Sequence, residues 1–208
     1  MKWQAVFWDF DGVVLDSVDV KTRAFALMFR KYGPEIERTV VEYHLANGGI
    51  SRFEKFKFFY SNLLHRSVSD EELITLGDQF SSLVYQEVLK APFIPGAQES
   101  LRFLQRGGVP CFVVSGTPQE EISQIVAARG LADYFIEVHG SPKGKQDILR
   151  DVVIRYNLNP RACLFLGDAM TDYQAALANG MQFIAVVTAN NSNAFPDGTK
   201  TTSFINLD

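Results

Sequence analysis

Short apolar runs at residues 5–8, 109–114, 134–138, 162–166 and 183–187 have the length and content of buried strands. Between them lie segments whose apolar positions recur three and four apart, predicting helices over 97–106, 118–129, 145–156 and 172–179. Gly107-Gly108, Gly130 and Gly180 stand where C-terminal caps would end three of these helices. Strand and helix in regular alternation predict an α/β fold, a Rossmann-like parallel sheet with helices on both faces.

One long stretch breaks the alternation. From Ser17 to Phe93 no strand pattern occurs, only helical spacing such as Phe25-Met28-Phe29 and Leu73-Leu76-Phe80-Leu83-Val84. The expected organisation is therefore an α/β core of residues 1–16 and 94–208, with an all-helical cap domain of residues 17–93 inserted after the first strand. Pro92-Phe93-Ile94-Pro95-Gly96 suits the hinge where the insertion returns to the core. Residues 189–200, rich in Asn, Ser, Gly and Thr, read as a loop before a short last strand around 203–205.

Composition narrows the function classes. Of the 208 residues 47% are apolar and 21% charged, with a formal net charge of -4. A globular chain this long buries roughly 70% of its unfolded surface and needs no disulfide or structural metal to fold. Cys111 and Cys163 each sit in an apolar run, as buried reduced thiols of a cytoplasmic protein do. No signal-peptide pattern opens the chain, and no apolar run approaches the ~20 residues that cross a bilayer. The acidic balance gives no field for binding nucleic acid. A small polar or anionic molecule is the expected partner, with no nucleic acid and no membrane.

Open parallel sheets bind ligands beyond the carboxyl ends of their strands. Asp9-Phe10-Asp11-Gly12, Ser115-Gly116-Thr117, Gly140-Ser141-Pro142-Lys143-Gly144-Lys145 and Gly167-Asp168 through Asp172 all fall there. Asp9, Asp11, Asp168 and Asp172 then converge, and two carboxylates ~4 Å apart repel by about 4 kcal/mol at an effective dielectric of 20. Such a cluster calls for a hard divalent cation held by oxygen, most simply Mg2+. Lys145 adds a fixed positive charge. The Ser115 hydroxyl and the amides of Gly116 and Thr117 at a helix start are placed to donate to phosphate oxygens.

These residues resemble the motifs of the haloacid dehalogenase superfamily, in particular its phosphoglycolate-phosphatase-like members with a helical cap after the first strand. The first motif reads Phe7-Trp8-Asp9-Phe10-Asp11-Gly12-Val13-Val14-Leu15-Asp16-Ser17. The second reads Phe112-Val113-Val114-Ser115-Gly116, and the last Leu166-Gly167-Asp168 through Asp172, Ala175, Ala176 and Gly180. The resemblance implies an Asp9 nucleophile that becomes an aspartyl phosphate, with Asp11 as general acid and then base. It also implies a metal held by Asp9, the Asp11 main-chain carbonyl and Asp168, with Asp172 direct or through water. Asp11 argues against a dehalogenase, a branch that lacks this acid. The usual Lys-Pro-x-Pro signature is absent, leaving Lys143 and Lys145; the Gly-Ser-Pro-x-x-Lys pattern favours Lys145 at the start of a helix.

Blander readings exist for each residue alone: Asp11-Gly12 as a turn, Ser115 or Asp172 as helix caps, Asp16 and Ser17 as the cap of the first inserted helix. Four acids at strand ends exceed what turns and caps require. The 140–146 segment is one residue short of a nucleotide-binding loop, with Gln146 at the Mg2+-holding position, and the Asp9 region lacks EF-hand spacing. His44, His65 and His139 are scattered and read as core or surface residues. Asn190-Asn191-Ser192 fits a glycosylation acceptor, incidental in a cytoplasmic chain.

In the insertion, Phe53, Phe56, Tyr60 and Leu63 form a stripe read as cap core. Arg52 and Lys55 stand in the first turn of that helix, where the macrodipole disfavours cations; a second anionic group on the substrate, or a solvated surface, would account for them. The expected activity is hydrolysis of a small phosphorylated metabolite. Alternatives are a sugar-phosphate mutase of the same fold, a catalytically idle binding or regulatory protein, and a phosphonate hydrolase using a cap lysine, Lys55 or Lys57.

Overall fold

A computed structural model describes residues 2–188 and 194–208. Six parallel strands form one sheet in the order β3-β2-β1-β4-β5-β6. They are β1 Ala5–Trp8, β2 Cys111–Pro118, β3 Glu137–Ser141, β4 Cys163–Gly167, β5 Gln182–Val186 and β6 Thr201–Thr202. The Rossmann-like α/β architecture expected from the alternation is what the chain adopts. Successive strands run outward from β1 to β3, and the chain then returns to β4 on the other side of β1. The carboxyl ends of β1 and its neighbours β2 and β4 thus share one edge at the switch point.

Side-chain alternation along β1 explains the two faces. Val6 and Trp8 join an apolar cluster with α5 (Ala97–Arg106) and α6 (Gln119–Ala128). Ala5 and Phe7 join a second cluster under α7 (Lys145–Arg155) and α8 (Met170–Ala178). Cys111 and Cys163 are buried on the sheet, where loss of solvent pushes their thiols up to about 12 and about 11.

From Val18 to Lys90 the regular structure is helical: α1 Val18–Phe29, α2 Pro34–Ala46, α3 Arg52–Phe58 and α4 Asp70–Lys90. Ser69 and Glu72 close a reciprocal capping box at the start of α4. Phe25, Phe29, Phe56, Phe59, Tyr60 and Phe80 pack together, with ring centroids 4.4 Å apart for the closest pair. The stripe read as cap core is accordingly buried or half-buried. The two connections to the core run side by side, Asp16 N–H donating to the Pro92 carbonyl and Ile94 N–H to that of Val14. No helix among the described residues is long and apolar enough to cross a membrane.

Three expectations shift. Residues 132–134 wind into a 3-10 turn, so the third strand begins at Glu137, where pairing with β2 sets its register. Residues 203–205 do not form the last strand; Thr201–Thr202 pairs with β5, while the Ile205 N–H and carbonyl bond Pro95 and Ser100 beneath α5. The strand after Cys111 runs on to Pro118, which lacks an N–H and is extended at φ -52 and ψ 143, so α6 starts only at Gln119. The glycosylation pattern at Asn190-Asn191-Ser192 lies outside the described residues.

Candidate active site

Each acid sits where a strand ends. Asp9 follows β1, Asp168 follows β4, and Asp172 lies in the first turn of α8. One carboxylate oxygen of each comes within 4.8 Å of the others. The Phe10 N–H donates to Asp9 Oδ1 at 2.6 Å, and the Ala169 N–H donates to Asp172 Oδ2 at 3.1 Å. Gly12, at φ +78, has no side chain because a Cβ there would strike the Asp168 carboxylate.

Lys145, first residue of α7, ties the group together from 2.8 Å to Asp9 Oδ2 and 2.6 Å to Asp172 Oδ1. Lys143 points elsewhere and pairs with Asp151 on the exposed face of α7. Between the two lysines left open by the sequence, Lys145 is the one at the acids. Burial would strip its proton, but the two carboxylates outweigh it and raise its pKa.

One ammonium does not balance three carboxylates, two of them buried and that of Asp168 half-buried. Burial, which Lys145 partly offsets and to which repulsion from Asp172 and Asp11 adds, pushes Asp9 up to about 7. Burial, then repulsion from Asp9 and Asp172, holds Asp168 well above the ordinary carboxylate range. The donor set is all oxygen and short of positive charge, which fits a divalent ion of the Mg2+ type. Asp9, Asp168 and Asp172 are the carboxylates that would hold it.

Asp11 stands apart from this cluster. Its carboxylate accepts from Lys21 Nζ, from Ser17 Oγ at 2.6 Å and from Thr117 Oγ1 at 3.1 Å. Burial pushes its pKa up, but Lys21 and these hydrogen bonds outweigh burial and hold it below the usual range. Its carboxylate is thereby tied to Lys21, Ser17 and Thr117 rather than to the other three acids.

Ser115 and Thr117 are nearly inaccessible, and the Thr117 N–H donates to Ser115 Oγ at 3.1 Å. Gly116 and Thr117 belong to β2 rather than to a helix start, so no α6 dipole acts through their amides. Gly116 and Thr117 do line the cavity.

The insertion closes over the acids and encloses a cavity of about 550 Å³. Gly48 and Gly49 form its tip: Thr171 Oγ1 donates to the Gly48 carbonyl at 2.9 Å, and a Cβ on Gly48 would come within 2.8 Å of the Ala169 Cβ. Arg52 lines the cavity, yet Glu121 of α6 already answers its charge, with bonds of 2.9 and 2.5 Å, and Ser81 takes a third at 2.7 Å. A protein carboxylate thus stands where the sequence suggested a substrate anion. Lys57 is exposed and paired with Glu54.

Lys55 points inward, with Nζ 2.8 Å from His44 Nδ1. Burial, with Lys21 adding repulsion, lowers its pKa from 10.5 to about 7. Between those values the unfolded chain binds a proton that the folded chain releases, so stability rises with pH there. The stabilisation gained by Lys55→Met is therefore expected to be full at about pH 6 and to shrink by about pH 10. The difference in melting temperature from wild type reads this directly, and an unchanging difference contradicts it.

Sequence reasoning missed three participants: Lys21, His44 and Glu121. Lys21 left a signal, a cation near the start of α1 ten residues after Asp11. Nothing in the sequence pairs Arg52 with Glu121 across 69 residues.

Fold and site together define an α/β enzyme whose chemistry is gathered at the carboxyl edge of its sheet. Residues 3–180 match the model of the haloacid dehalogenase-like hydrolases. The chain belongs to that family. Phosphoglycolate phosphatase 1 of Pseudomonas aeruginosa is 26% identical over 192 residues, covering 89% of this chain and 70% of its own. A phosphoglycolate phosphatase of Vibrio vulnificus is 25% identical over 178 residues, covering 82% and 78%. Among solved structures, CbbY from Rhodobacter sphaeroides in complex with xylulose-(1,5)bisphosphate shares the fold. Its TM-score is 0.75 at 15% identity, covering 97% of this chain and 94% of its own. The hydrolase family and its phosphatase relatives agree with the phosphoric monoester hydrolase class expected from the sequence.

Proposed function

We propose that this chain is a cytoplasmic, Mg2+-dependent phosphatase that hydrolyses a small phosphorylated metabolite through an aspartyl phosphate on Asp9. The observation that carries this reading is the convergence of Asp9, Asp168, Asp172 and Lys145 from three separate loops. Residues 1–16 and 94–208 would form the catalytic core and residues 17–93 its cap.

Asp9 Oδ attacks phosphorus in line, and the bond to the ester oxygen breaks. Asp11 delivers a proton to that leaving oxygen, then takes one from the water that cleaves the acyl phosphate. The Lys21, Ser17 and Thr117 contacts favour the carboxylate form of Asp11 that the second step needs, and the proton it takes from that water is the one it delivers to the leaving oxygen of the next turnover. Lys145 favours the ionised form of Asp9 and would meet the incoming phosphate oxygens, with Ser115, Gly116 and Thr117 as further donors to them. Asp9, the Asp11 carbonyl, Asp168 and Asp172 would hold a divalent ion, which would supply charge to offset repulsion between carboxylate and phosphate. The insertion excludes water that would screen these charges.

The deciding test is release of phosphate from a panel of phosphorylated metabolites with Mg2+ and with excess EDTA. Hydrolysis that stops in EDTA and returns on adding Mg2+ is expected. Equal rates in both conditions overturn the metal assignment.

A further inference from the structure

Lys55 is an anomaly in the fold. It is 2% exposed, sits 5.8 Å from the Phe25 ring, and pairs with no carboxylate among the described residues. A methionine would fill the same volume without the cost of burying an amine. Its hydrogen-bond partners are His44 Nδ1 at 2.8 Å and the His44 carbonyl at 3.4 Å, which use two of the three ammonium protons.

In its ammonium form Lys55 only donates, and in that form Nδ1 accepts and the imidazole proton lies on Nε2. That Nε2 is buried and has no hydrogen-bond partner. Burial, with Lys55 and Lys21 adding repulsion, lowers the ring's pKa to about 2 and keeps it neutral. His44 and Lys55 both line the cavity above Asp9. Two spare donors therefore line one cavity, with no acceptor among the described residues to satisfy them.

We infer that His44 and Lys55 together bind a second oxyanion of the substrate, at the end away from the reacting phosphate. This rests on the phosphatase reading of the same cavity. Arg52, the more obvious anion receptor, is excluded because Glu121 and Ser81 occupy its guanidinium. A carboxylate and a second phosphate share the chemistry that this pair recognises. Either places oxygen acceptors against the imidazole N–H and the ammonium, and either restores the charge that burial takes from Lys55.

Calorimetric binding to the full chain with Mg2+ present tests this, using probes whose carbon–phosphorus bond replaces the ester. The probes are propylphosphonate, phosphonopropionate and propane diphosphonate. Wild type is expected to bind at least one doubly anionic probe about 10- to 100-fold more tightly than propylphosphonate. Which of the two gains identifies carboxylate or phosphate as the source. The preference is expected to collapse in Lys55→Met and in His44→Phe. Lys55→Gln and His44→Asn serve if a first variant melts early. Equal affinity for all three probes in wild type overturns the inference. So does a preference that survives in both variants or is lost only in Arg52→Met. Binding is read without turnover, so failure to release phosphate from any ester defeats the phosphatase reading separately.

Discussion

Asp9→Asn is expected to lower phosphate release by at least about 10⁴-fold, the scale on which removal of a covalent nucleophile acts. An amide of the same shape keeps one of the two bonds, because its oxygen accepts from the Phe10 N–H or from Lys145 while its NH2 cannot accept, so the packing around β1 survives. The amide oxygen cannot displace an ester oxygen to leave a phosphorylated enzyme, so no acid-stable phosphoprotein forms in a quenched reaction. Replacing a carboxylate that burial holds near neutrality also removes repulsion from Asp168 and Asp172, so the melting temperature should hold or rise. Hydrolysis of an aryl phosphate at wild-type rates by Asp9→Asn rules out this nucleophile.

Lys145→Met carries the second large effect, and it reaches both activity and folding. The variant loses the only cation bonded to Asp9 and Asp172 among the described residues. Removing one partner of a buried ion pair costs about 3–5 kcal/mol, part of which the acids recover by taking up protons. Turnover is expected to fall by about 10²–10³-fold, as when one fixed donor to a developing charge is lost. Because the acids are then still more short of positive charge, millimolar Mg2+ should raise the melting temperature of this variant more than that of wild type. A Lys143→Met control, altering an exposed pair with Asp151, should change neither quantity. If Lys143→Met is the impaired variant, the assignment of Lys145 is wrong.

The strand ends were legible because a parallel strand buried on both faces is written as a short apolar run, and the loops after it have nothing to pack and carry polar chemistry. Asp9, Asp11, Asp168 and Asp172 could be named from that rule together with their spacing. The helical insertion was equally plain, since 3.6-residue periodicity without alternation has no place in a sheet. Boundaries moved by a few residues where a local device intervened, such as Pro118 holding the backbone extended.

The donors facing the acids were a different matter. Arg52 carries a cation in a helix's first turn whether its partner is a substrate or Glu121, and linear order says nothing about which. His44 looks in sequence like any isolated histidine. Its role as the acceptor for Lys55, and the spare proton this leaves on Nε2, exist only because α2 and α3 meet over the cavity.

The amino-acid order by itself determined the sheet, the inserted helices and the acids at the strand ends, because hydrophobic period and chain direction act locally and repeat. Which lysine reaches those acids, which cation is already neutralised and which donors remain without acceptors were decided by tertiary structure. Charge pairing depends on distances of a few ångströms between elements far apart in the chain, and no local pattern encodes them.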